Sequence, residues 1–182
     1  MSFPTFKIAD LDKIDGSQRR KKILRAATYM GGAEEVFFYF SVRAYRENPD
    51  LNKANLIYDT FVSPASQMSL NINKTTRDVV KGKLLAVKSK LDTPLAAVTL
   101  SRRMQRNQVN KRGFQRSFLD QVKNELKFIF ESALRESFVK DAVRPDLQFL
   151  SYCKREQDGN FKEYKEGIKK KMDEFYLNGI II

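Results

Sequence analysis

The chain has no histidine, no tryptophan and a single cysteine, Cys153, among its 182 residues. Without histidine, neither Ser-His-Asp nor Cys-His catalysis can be assembled, and His-ligated zinc sites are excluded. One cysteine cannot close an intrachain disulfide or build a thiolate cluster, and its use fits a reducing compartment. Cys153 itself reads as a small apolar core residue. Glycine and proline are sparse, at eight and five, which excludes collagen-like repeats and low-complexity disorder. The glycines never fall into GxxxxGK(S/T) or GxGxxG, so neither phosphate-cradling loop is present. The longest wholly apolar run is VFFYF, Val36 to Phe40, against the roughly 20 residues that cross a bilayer. The opening MSFPTFKIADLDKIDG carries acids where a secretory leader needs an apolar stretch. Catalysis, cofactor and metal are therefore not expected of this chain alone.

What remains is a chain of one-domain length, able to bury about 70% of its unfolded surface. Its charge is uneven. Of 34 basic and 22 acidic residues, residues 1–76 hold 11 and 8, residues 77–118 hold 11 and 2, and residues 119–182 hold 12 and 12. Nine of the twelve excess charges thus fall in one 42-residue segment, a local patch that points to an anionic partner.

The periodicity is helical throughout. Ser17 caps QRRKKILRAATYM, and Gly31-Gly32 stops it. AEEVFFYFSVRAYREN is apolar on all sides at its centre, but Glu34 and Glu35 at its front favour a helix N-terminus. Asn52 heads KANLIYDTFV, with Ala54, Ile57, Tyr58, Phe61 and Val62 on one face, and Ser63-Pro64 ends it. Asn73 caps a helix striped by Val80, Leu84, Val87 and Leu91. Thr93-Pro94 starts another, which stops at Gly113. A long helix from Phe118 through Ala133 runs on as ESFVKDAV to Arg144-Pro145, and DLQFLSYCKRE forms a short one. Phe161, Tyr164, Ile168, Met172, Phe175 and Tyr176 stripe a last helix closed by Asn178-Gly179. The reading is all-α, about eight helices in one domain, with Phe38, Phe40, Ile57, Phe61, Leu126 and Phe130 in the core.

Two of these stretches carry a pattern beyond periodicity. AEEVFFYFSVRAY followed by KANLIYDTFVSPASQMSLNINKTTR resembles the regulator of G-protein signalling (RGS) homology domain. Ile57, Tyr58, Phe61, Val62, Ser63, Asn71, Ile72, Thr76 and Arg77 match the family pattern nearly position by position. Glu34 and Phe38 match its first part, with Tyr39 where tryptophan is usual, and Phe138-Val139-Lys140 echoes a third. The resemblance implies an all-helical bundle over residues 1–182, with residues 83–116 as a basic helical insertion before the long late helix.

It also implies a function. Family members bind the switch segments of heterotrimeric G-protein α subunits in their transition-state arrangement and so accelerate GTP hydrolysis, adding no catalytic residue of their own. The implied contact surface comprises Glu34, Glu35, Ser63, Asn71, Ala133 and Ser137. An asparagine amide at Asn71, donor and acceptor together, suits holding a switch loop; the structural alternative is a turn asparagine bonded locally. The sequence departs from the family at Glu35, where asparagine is usual, and at Ala133 and Ser137, where aspartate and arginine are. A scaffold of the same fold without acceleration, or a membrane-binding module, is therefore the alternative, with a basic nucleic-acid binder behind them. For the basic segment an anionic membrane is the expected partner, through Arg102, Arg103, Arg106, Lys111 and Arg112. Within residues 83–116 the only aromatic is Phe114, which leaves base stacking little to build on. The expected location is the cytoplasm, peripheral at the inner membrane surface.

Overall fold

The structure, a computed structural model, describes residues 6–30, 32–92, 108–138, 142–143 and 160–182. A short helix α1 (Ile8–Asp12) turns at Gly16, φ +87°, into α2 (Ser17–Met30). Only glycine adopts that φ without a Cβ clash. Ser17 does not cap α2 as the sequence leads one to expect. It is the first helical residue, and its Oγ donates instead to the Ile182 carbonyl at 2.6 Å.

VFFYF is helical and lies in α3 (Ala33–Glu47). Consecutive apolar residues step round a helix by about 100° each, so a helix holding five must be covered on every side. Val36, Phe37, Phe38, Tyr39 and Phe40 are all buried. The Phe38 ring lies 5.4 Å from Phe61 and 6.0 Å from Phe130. Phe37 sits 5.1 Å from both Phe61 and Phe175. Each such pair adds about 0.5–1.5 kcal/mol beyond area burial. All six core residues expected from the sequence are at most 2% exposed.

Next come α4 (Leu51–Ile57) and one π turn, Tyr58–Val62, in which Ser63 N–H donates to Tyr58 O at 2.8 Å. The cap of α4 is Asp50, not Asn52. Asp50 is extended, outside the helix, and its Oδ1 accepts from Lys53 N at 2.9 Å. In α5 (Lys74–Asp92), Val80, Leu84 and Val87 are buried, but Leu91 at the end of the expected stripe is exposed. Residues 83–92 continue α5 and residues 108–116 open α6 (Gln108–Lys127).

Three expectations are corrected on the C-terminal side. Gly113 does not stop a helix but lies within α6, since an interior glycine costs only about 1 kcal/mol. The long helix is broken by a turn at Phe128–Phe130, and a separate α7 (Glu131–Ser137) follows. The break brings Ile129 and Phe130, adjacent in sequence, both into the core and leaves Phe128 half exposed. Nor does α7 run to Arg144. It ends at Ser137, and two residues further along pair as a strand: β2 (Ala142–Val143) lies antiparallel to β1 (Phe6–Lys7), with Phe6 opposite Val143. Apart from this two-residue ladder, the described residues are helix, turn and loop. The expected start at Thr93-Pro94, the short helix DLQFLSYCKRE and Cys153 lie outside them.

The last helix, α8 (Asn160–Leu177), closes as foreseen at Gly179, φ +81°. Ile180 N–H reaches back to Phe175 O at 2.9 Å and Gly179 N–H to Tyr176 O at 3.0 Å, the paired bonds of a Schellman cap. Ile180 and Phe175 are buried beneath it, whereas Tyr176 points away from the core.

Candidate functional site

The segment between the π turn and α5 has neither helix nor sheet to satisfy its carbonyls, and Arg77 supplies the donors. Its Nε donates to Ile72 O at 3.2 Å, Nη2 to Leu70 O at 2.7 Å, and Nη1 to Ser69 Oγ at 2.8 Å and to Val62 O. A planar fork of five N–H donors can serve converging acceptors in this way; an ammonium cannot. Leu70 N–H closes the loop on Phe61 O at 2.8 Å, and Ser66 Oγ donates to Thr60 O. Leu70 and Ile72 are buried, and Asn71 between them is exposed. Tyr58 lies close by. Burial raises its hydroxyl pKa, and Asp59 and Asp78 raise it further against the lowering effect of Arg77.

A second tether fixes the other end of the loop. Asn73 Oδ1 caps α5 by accepting from Thr76 N at 2.7 Å, as expected. In a complete capping box a Glu or Gln three residues on would reach back to the cap's own N–H. Thr76 cannot. The acceptor comes from α7, where Glu136 Oε1 takes Asn73 N–H at 2.6 Å. A carboxylate at the positive end of α5 is favoured by the helix dipole as well. Glu136 was not among the residues singled out from sequence; the one signal for it was the missing acid at position 76.

The six residues named for contact are placed unequally. Asn71 is exposed on the tethered loop, Ser63 is half-buried at its start, and Glu34 is half-buried in the first turn of α3. Glu35, beside it, is 8% exposed. Ala133 has no exposed surface at all and cannot touch a partner; that assignment is corrected by the inward face of α7. Ser137 is half-buried, with its Oγ donating to Leu134 O at 3.1 Å. The three segments meet around Phe38, which packs on Phe61 two residues before Ser63 and on Phe130 immediately before α7.

Arg102, Arg103 and Arg106 lie outside the described residues, and only the backbone of Lys111 and Arg112 is described, within α6. Among the described residues no three carboxylates or thiols converge as a metal shell, and no helix is long and apolar enough to cross a membrane. No family model, no curated protein and no solved structure matches this chain.

Proposed function

We propose that this chain is an RGS-homology module that binds the switch segments of a heterotrimeric G-protein α subunit in their transition-state arrangement and accelerates GTP hydrolysis. The observation that supports it is Asn71, exposed on a loop held at one side by the Arg77 fork and at the other by Glu136. A module with no catalytic group acts only by binding the transition state better than the ground state. A loop whose conformation is set before binding loses little entropy when it docks, which leaves more of its contact energy for that discrimination. About 1.4 kcal/mol of preference is tenfold in rate.

Binding without acceleration is the second reading. It is favoured by Ala133, buried where the family presents an aspartate, and by Ser137, whose hydroxyl is spent within its own helix. Single-turnover GTP hydrolysis by a panel of α subunits, with and without this chain, separates the two. Faster hydrolysis with a complex on the transition-state mimic supports the first. A complex with flat rates leaves the scaffold, and neither outcome with any α subunit ends the proposal. The location that goes with it is peripheral, at the membrane where α subunits work.

A further inference from the structure

A basic surface free of acids lies outside the 77–118 segment, on α2. That helix carries Arg19, Arg20, Lys21, Lys22 and Arg25 and no acid. Leu24, Ala27 and Thr28 turn inward, so Arg19, Lys21, Lys22 and Arg25 are exposed on the outer face. No carboxylate of the described residues forms an ion pair with any of the five. Beside this helix runs α8. Lys165 Nζ donates to Tyr29 Oη at 2.8 Å near the end of α2, and Ser17 Oγ holds Ile182 O at its start. At the first turn of α2 the second contact holds Ile182, which follows shortly after the Schellman turn of α8. On that turn Tyr176, Leu177 and Ile181 are 62%, 83% and 54% exposed, while Ile180 and Ile182 are buried.

We infer that the outer face of α2 and the turn at Tyr176–Ile181 form one docking surface for an anionic lipid bilayer. Unpaired cations on a convex helix suit a diffuse layer of headgroup phosphates and carboxylates, which needs no shaped pocket. Leu177 and Ile181 gain little from a nucleic-acid backbone or a soluble polyanion, but they reach an apolar phase at the acyl boundary, with Tyr176 at headgroup depth. Two weak signals, charge and apolar insertion, are what reversible anchoring requires. The surface is independent of Asn71 and of the G-protein proposal.

The test is co-sedimentation of the full chain with phosphatidylcholine vesicles, with and without phosphatidylserine, over a salt series. The wild type binds only the anionic vesicles, and more weakly as salt rises. Neutralising Arg19, Lys21, Lys22 and Arg25 together to Gln lowers affinity on the order of fivefold per charge, and what binding remains depends less steeply on salt. The pair Leu177→Ser and Ile181→Ser, both at exposed positions, weakens binding roughly tenfold or more and leaves the salt slope in place. Three results overturn the inference. The wild type ignores anionic vesicles at low salt, or the four-Gln variant binds as the wild type does with an unchanged circular dichroism spectrum, or only Arg102→Glu, Arg103→Glu and Arg106→Glu abolish binding. Equal capture by soluble heparin with no effect of the serine pair overturns it too, in favour of a polyanion site.

Discussion

Asn73 and Glu136, 63 residues apart, are joined by a hydrogen bond of 2.6 Å from the backbone N–H of the first to the carboxylate of the second. One bond completes the cap of α5 and ties the Asn71 loop to α7. Replacing Glu136 by Ala should therefore act at two places from one site. Stability in urea should fall by about 1 kcal/mol, and amide exchange should accelerate at residues 71–74 while α3 stays protected. Unchanged exchange in the loop would mean that the bond holds nothing.

Arg77→Lys should be nearly as damaging as Arg77→Ala, although it keeps the charge. The fork serves Leu70 O, Ile72 O, Val62 O and Ser69 Oγ at once, and an ammonium on a flexible stem cannot reach them together. The expected loss is about 2–3 kcal/mol, read as a lower urea midpoint with an unchanged slope.

Asn71→Ala should separate function from stability. The side chain is exposed at the loop tip, so the melting transition should move within about 0.5 kcal/mol of wild type. Any acceleration of GTP hydrolysis should fall about tenfold or more. Full acceleration by this variant would remove Asn71 from the proposed contact.

Tyr45 predicts an alkaline limb in the stability profile. It is fully buried, its Oη donates to Leu126 O at 2.9 Å, and burial, with the Asp50 carboxylate adding, pushes its hydroxyl far above the ordinary tyrosine value. The folded state thus favours the neutral ring. This stabilisation is fully present below about pH 10 and is lost above it, where only the unfolded chain ionises, at up to about 1.4 kcal/mol per pH unit. Tyr45→Phe should cost about 1 kcal/mol at neutral pH and flatten the decline above pH 10. A decline equally steep in the variant would assign it to other groups.

Most helices, and the loop that carries Asn71, were legible in the sequence because their signals are local. A stripe such as Val80, Leu84 and Val87, a cap such as Asn73 and a stop such as Gly179 each act within one or two helical turns. The sequence marks Arg77 only as a match to the family pattern, and the structure shows it serving four acceptors, all within 15 residues. The turn at Phe128–Phe130 has no such mark. No proline or glycine announces it, and it exists because Phe130 packs on Phe38 and Tyr45 from α3.

The amino-acid sequence by itself determined that this is a helical chain with a loop between Ser63-Pro64 and Asn73, because side-chain spacing, caps and stops act between near neighbours. Tertiary structure alone decided that Ser17 bonds Ile182 instead of capping, that Ala142–Val143 pair with Phe6–Lys7, that Ala133 faces inward and that Glu136 completes the cap of α5. These contacts join residues 63 to 165 positions apart, and their partners are chosen by which surfaces meet when the core closes around α3. No period or spacing along the chain encodes that choice.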